Sequence, residues 1–235
     1  MKTYFLCFAD EKYDLTRIHK EARDLNIFDE IWCWDEHDLD ANWIEKHYEF
    51  IRNNPRGFGY WIWKSQCVLQ ALNKMDDGDV LVYADAGCVL CSEGVPRLKM
   101  YIDAARHHPS NMLSFALEYP ESQWTKMDLF KTLDYTGFND RQLMATTFVL
   151  CNTQNIRNLV QKWVDSCAVY HNIDDSPSIE HNAPNFVEHR HDQSVWSIYR
   201  KQHGSVVIHD ETWWNGAWDS HKHYPIHARR MLTRK

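Results

Sequence analysis

Apolar and polar positions along the chain switch between a strand period and a helix period. Residues 3–8 are an apolar, β-prone run that closes on Ala9-Asp10 and predicts a first strand. Leu15, Ile18, Ala22 and Leu25 then recur at helical spacing and predict an amphipathic helix. Glu30–Trp34 reads as a short second strand. Trp43, Ile44, His47, Tyr48 and Ile51 mark another helix, which stops at Asn53-Asn54-Pro55. Helical character returns from Trp61 to Lys74 and breaks at Asp76-Asp77-Gly78. Val80–Tyr83 is continuously apolar, as expected of a strand covered on both faces of a parallel sheet. The order β-α-β-α-α-β, with connections short enough for right-handed crossovers, predicts the start of a Rossmann-like sheet.

The second half is less regular. Met112–Leu117 and Thr146–Cys151 read as strands, and Ile156, Leu159, Val160, Trp163, Val164 and Cys167 as one face of an amphipathic helix. Asp174–Phe186 is polar and proline-bearing, which predicts a loop over a site; Ser194–Lys201 reads as a short helix and Val206–His209 as a final strand. At 235 residues the expectation is one α/β domain spanning 1–235, with a mixed, mostly parallel sheet flanked by helices. Within it, residues 1–110 make one half and residues 111–235, with the basic C-terminal tail, the other.

Composition narrows the function. The hydrophobic share of 44% permits a large core and excludes wholesale disorder. Eleven Trp and eleven Tyr mostly serve that core, but flat aromatic faces also suit the C–H surfaces of sugars. A net charge of −7 argues against nucleic acid as a partner. The tail from His221 runs against this balance: Lys222, Arg229, Arg230, Arg234 and Lys235 occur there with no acid. Such a segment is either a solvated terminus or one that folds back over an anionic group such as a diphosphate.

Of the seven cysteines, Cys7, Cys67, Cys151 and Cys167 sit in apolar runs and read as buried reduced thiols. Cys88 and Cys91 supply only half of a tetrahedral zinc site. The N-terminal apolar run is too short for a signal peptide, and no segment has the length of a membrane span, so the expected location is cytoplasmic. Contact with a membrane would then be peripheral, where an acceptor is lipid-linked.

Three stretches carry candidate chemistry. In Arg56-Gly-Phe-Gly-Tyr-Trp-Ile-Trp-Lys64, two glycines let a ligand approach the main chain, while Arg56 and Lys64 bracket the turn as phosphate contacts. The same residues would also serve as a hydrophobic turn packing one helix on another. In Asp79-Val-Leu-Val-Tyr-Ala-Asp85-Ala-Gly-Cys88, Asp85 stands where a strand meets small residues; it is either a turn residue or a ligand group at the carboxyl end of a sheet. In His189-Arg-His-Asp-Gln193, Asp192 either caps a helix or faces a developing positive charge. There is no G-x-G-x-x-G, so a dinucleotide is disfavoured.

Taken as a set over residues 3 to 230, these motifs resemble a family of small glycosyltransferases with the GT-A fold, found among bacterial surface-polysaccharide genes and large DNA viruses. The resemblance implies a hexose transferred from a nucleotide-sugar donor, usually a UDP-sugar, to a glycan or lipid-linked acceptor, assisted by Mn2+ or Mg2+ at a D-x-D motif. It implies donor contacts from Phe8, Ala9, Arg56, Gly57, Gly59, Tyr60, Trp63, Lys64, Tyr83, Asp85, Ala86 and Gly87. Asp192, Gln193 and His191 would be catalytic, Gln142 and Thr147 would meet the acceptor, and Asp85 with His221 would hold the metal. Gly87 departs from the motif, since it stands where the second acid would be. Two other classes remain open on the residues alone. One is a metal-dependent hydrolase built on His189, His191, Asp192 and Asp85; the other is a non-catalytic carbohydrate-binding domain.

Overall fold

A computed structural model describes residues 1–235. The first half runs β1 (Thr3–Phe8), β2 (Tyr13–Asp14), α1 (Thr16–Asp24), β3 (Glu30–Trp34), α2 (Ala41–Asn53), α3 (Gly57–Tyr60), α4 (Trp63–Lys74), β4 (Val80–Ala84), β5 (Val89–Leu90) and α5 (Val95–His107). The second half adds β6 (Met112–Pro120), α6 (Glu121–Trp124), α7 (Met127–Thr132), β7 (Arg141–Leu143), β8 (Thr147–Cys151), α8 (Gln154–Cys167), α9 (His191–His203), β9 (Val206–His209), β10 (Ile226–His227) and β11 (Thr233–Arg234).

The main sheet has the order β3-β1-β4-β8-β6-β7, with β9 also beside β6. Pairs β1/β3, β1/β4 and β6/β9 are parallel; β4/β8, β6/β8 and β6/β7 are antiparallel. All strands of this sheet except β7 and β8 therefore run the same way, and the sheet is mixed and mostly parallel.

The continuous apolar strands follow from burial on both sides. In β1, Tyr4, Leu6 and Phe8 join one core, while Phe5 and Cys7 join the other. In β4, Leu81 and Tyr83 face the first core and Val80, Val82 and Ala84 the second. Residues of α4, α8 and α9 close the first face, and α1 and α5 close the second. The helices start where capping chemistry allows: Asp40 accepts from the Trp43 amide at 2.8 Å and Thr153 from that of Ile156 at 3.3 Å. The stretch 174–190 contains neither helix nor strand, as its composition predicts. All seven cysteines are free thiols. No helix is long and apolar enough to cross a membrane.

Candidate functional site

The glycine-bearing turn after α2 is wound the opposite way to the helices around it. Gly57, Phe58, Gly59, Tyr60 and Trp61 have φ of 60°, 54°, 81°, 53° and 60°. The amides of Tyr60 and Trp61 donate back four residues, to the carbonyls of Arg56 and Gly57, at 2.8 and 3.1 Å. This is one turn of left-handed helix, which three non-glycine residues hold only at a cost. Gly57 is required twice, because a Cβ there would also lie 2.5 Å from the Trp61 ring. The Trp63 indole donates to the Gly57 carbonyl at 3.0 Å and stacks on Phe8, with ring centroids 4.0 Å apart.

The next residue, Lys64, runs inward from α4 to the carboxyl end of β4. Its buried Nζ lies 2.9 Å from Asp85 Oδ1 and 3.6 Å from Asp192 Oδ2, and donates to the Ala145 carbonyl at 3.3 Å. Tyr83, near the end of β4, donates its hydroxyl to Asp85 Oδ1 at 2.8 Å. The Asp85 amide donates to the Thr146 carbonyl, fixing the loop against β8. Of the two carboxylates only Asp85 meets solvent: its side chain is 34% exposed, against 5% for Asp192. Asp192 Oδ2 is buried without a hydrogen bond.

Burial raises the Asp192 carboxyl to a pKa of about 7; Lys64 opposes that rise and the charge of Asp85 adds to it. Burial pulls Lys64 down, but the two carboxylates outweigh it, so the ammonium pKa moves up and the cation persists. The cluster is thus an internal cation held between one cleft-facing carboxylate and one buried carboxyl that titrates near neutrality.

Asp192 sits at the start of α9, one residue after His191, whose φ of 51° is also left-handed. The His191 ring stacks on Tyr60 at 5.0 Å and packs on Trp61 at 5.1 Å. It donates from Nδ1 to the Ile173 carbonyl at 2.7 Å, its Nε2 has no hydrogen-bond partner, and burial lowers its pKa. A left-handed turn and a left-handed residue therefore pack directly on each other. A rim of charge continues outward: Arg56 pairs with Asp175 at 3.0 Å and with Glu188 at 3.9 Å, and Arg190 pairs with Glu188 at 3.2 Å while lying over Trp124. A polar cavity of about 540 Å³ shares Asp175 and Glu188 with this rim but includes none of Lys64, Asp85 and Asp192.

The C-terminal tail folds back, as one of its two sequence readings anticipated. The β10 strand pairs with β5 and β11 with β2, and the Met231 amide donates to the Gly87 carbonyl at 2.8 Å. Arg17 of α1 ties the layers together by donating to the carbonyls of Ala86, Cys88 and Met231. A Cβ on Gly87 would lie 3.1 Å from Arg230 Cα, so a side chain there would press on the backbone of the tail.

Several of the residues expected at the site are buried. Gln142 and Thr147 do not open onto a cleft: both are fully buried. Gln142 donates to Glu121 at 2.9 Å, and the Thr147 hydroxyl donates to the Tyr83 carbonyl at 2.6 Å. Gln193 has both ends of its amide committed, accepting from Ala145 N at 3.0 Å and donating to Gln142 at 2.8 Å. Phe8, Ala9, Trp63, Tyr83 and Ala86 are buried and shape the floor rather than its surface. Arg56, Gly57, Tyr60 and Asp85 retain exposure, and Gly59 is buried against Ile51. His189 has both ring nitrogens engaged, by the Lys126 amide and the Asn172 carbonyl, and burial takes its pKa down to about 3.

The residues gathered at Asp85 do not by themselves build a divalent-ion site. His221 stacks on Trp214 and donates to the Ala217 carbonyl. No group of three or more His, Cys, Asp or Glu side chains is assembled anywhere in the molecule to hold a metal. Beside Asp85 stands the Lys64 ammonium, 2.9 Å from Oδ1. Sequence reasoning passed over Arg17, Arg190 and Ala145. Only Arg190 carried a signal, through its place inside the H-R-H-D-Q run.

No family model matches the chain, and no curated protein matches it in sequence. Among solved structures, a glycosyltransferase involved in the glycosylation of the major capsid of PBCV-1 aligns over 96% of this chain and 92% of its own, at 10% identity and a TM-score of 0.52. Mouse xyloside xylosyltransferase 1, in its apo form, aligns over 98% of this chain and 83% of its own at 12% identity, but its TM-score of 0.46 is too low to carry an argument. The likeness is one of fold: the chain has a GT-A-like, Rossmann-like architecture, a mostly parallel sheet between layers of helices.

Proposed function

We propose that the protein is a glycosyltransferase that moves a hexose from a nucleotide-diphosphate sugar, with UDP as the first candidate carrier, to a hydroxyl of a glycan or lipid-linked acceptor. The observation that carries this reading is the Lys64 cation clamped between Asp85 and Asp192 at the carboxyl end of a central strand. Open α/β sheets bind ligands beyond the carboxyl ends of their strands. A fixed cation there is suited to the charge that grows on a departing diphosphate.

In the inferred reaction, the bond from the anomeric carbon to the diphosphate oxygen breaks as the acceptor oxygen bonds to that carbon. The acceptor proton leaves to a base or to the departing diphosphate. Asp85 faces the cleft and orients the donor; Lys64 beneath it lowers the cost of negative charge on the leaving group. Asp192 lies behind Lys64 and out of solvent, so its part is electrostatic: its ionisation state sets how much of the Lys64 charge is left for the ligand. The left-handed turn supplies Tyr60 and a close backbone approach at Gly57 to the donor.

A thermal-shift panel of UDP, GDP, CMP and dTDP, with and without Mn2+, tests the reading, because a ligand that binds only the folded state raises its stability. A shift with one nucleotide fixes the base; silence across the panel refutes nucleotide-sugar use.

A further inference from the structure

We propose that this chain grips the diphosphate of its donor with fixed side-chain cations, Lys64 below and Arg190 and Arg230 at the rim, in place of a divalent ion. The inference rests on the transferase reading and specifies how that site recognises its ligand.

The starting point is Gly87. In the family that the sequence resembles, this position carries the second acid of a metal-binding pair. Here a side chain would be crowded: Arg230 Cα stands 3.1 Å from where a Cβ would be, so the tail would have to give by a few tenths of an ångström, and Met231 is hydrogen-bonded to the Gly87 carbonyl. The Arg17 guanidinium, bonded to Ala86, Cys88 and Met231 together, locks the tail in that position. The residue whose backbone is pressed onto the loop is an arginine, with φ of 57°. Arg230 is exposed and has no acidic partner within 4.0 Å.

The cations gather instead of dispersing. At the rim Arg56 pairs with Asp175 at 3.0 Å and reaches Glu188 at 3.9 Å, while Arg190 pairs with Glu188 at 3.2 Å. Arg190, half-buried over Trp124, has its pKa lowered chiefly by burial; Glu188 opposes the fall, and the charges of Arg230 and Arg56 add to it. Lys64 lies inside the site, already bonded to Asp85. Of these cations only Arg230 has no carboxylate within 4.0 Å, which leaves it for an added anion. Guanidinium groups pair with phosphate oxygens through two parallel hydrogen bonds, which suits a diphosphate better than a single carboxylate.

The test is isothermal titration of the full chain with UDP and with inorganic pyrophosphate in EDTA, and with UDP in Mn2+, repeated on Arg230→Gln and Arg190→Gln. Arg230 is exposed, so Arg230→Gln will fold even if the partly buried Arg190 variant does not. The expected result is binding that persists in EDTA and weakens about tenfold or more in Arg230→Gln, the loss expected for one charge-assisted hydrogen bond. UDP binding that appears only with Mn2+ overturns the inference and leaves the transferase reading standing. Binding in EDTA that neither variant weakens overturns it as well. If neither UDP nor pyrophosphate binds under any condition, the inference fails, and the panel of other nucleotides decides the transferase reading separately.

Discussion

Asp192→Asn should change the pH dependence of folding stability in a direction opposite to that of most aspartates. The Asp192 carboxyl has a pKa of about 7 in the folded protein, against about 3.9 in an unfolded chain. Between those values the folded state binds the proton that the unfolded state has released, so stability falls as pH rises through that window. The effect is complete below pH ~4, where both states are protonated, and levels off above pH ~7. Each tenfold difference in proton affinity between the two states is worth about 1.4 kcal/mol, so the full window is worth about 4 kcal/mol, with about 3 kcal/mol of it between pH 4.5 and 7.5. Asn keeps the shape and does not titrate. Urea unfolding of both proteins across that range should therefore show the wild-type stability, minus that of the variant, declining by about 3 kcal/mol as pH rises. A difference that stays flat or increases with pH would mean that Lys64 holds Asp192 ionised, and the description of the cluster would be wrong.

Asp85→Asn removes the partly exposed carboxylate while Asp192 still pairs with Lys64, so the melting temperature should stay within a few degrees of wild type while sugar transfer, measured as nucleotide release, falls by orders of magnitude; wild-type turnover would remove Asp85 from the mechanism. Gly57→Ala forces a Cβ into a φ of 60° and against the Trp61 ring, at a cost of about 1–2 kcal/mol from the backbone alone. It should lower the melting temperature by about 3 °C or more, and an unchanged value would count against a left-handed turn. Arg17→Met should release the tail, making residues 229–235 more sensitive to limited proteolysis while the sheet stays protected; equal digestion rates would show that strand pairing alone holds the tail.

The regular part of the fold is legible because burial on two faces writes itself into local patterns. Both β1 and β4 are apolar throughout for that reason, and α1, α2 and α8 each show one apolar stripe. Helix α5 escapes such a reading although Leu98, Tyr101, Ile102 and Ala105 form its buried face, because Pro96 at its start resembles a turn signal. The site is half legible. Asp85, Lys64 and Asp192 are each marked by neighbours along the chain, but nothing local says that one lysine joins two carboxylates so far from it in sequence. The burial of Gln142 is hidden because its satisfaction depends on Glu121 and Ser194, residues distant along the chain. The handedness of 57–61 is suggested only by its two glycines; Phe58, Tyr60 and Trp61 give no local sign of it.

That turn also constrains the order in which the molecule is built. With three non-glycine residues in the left-handed region it carries about 3–6 kcal/mol of backbone strain, a large part of the net stability of an ordinary domain. It cannot nucleate on its own. What holds it is the His191 ring, contributed by the last long helix, while the far edge at Gly87 waits for the strap that ends in β11. A growing chain can pair β1 with β3 and β4 as soon as those strands exist, yet the surroundings of Lys64 and Gly87 are not complete until α9 docks and the tail returns. The cluster around Lys64 is therefore complete only once the last third of the chain is in place.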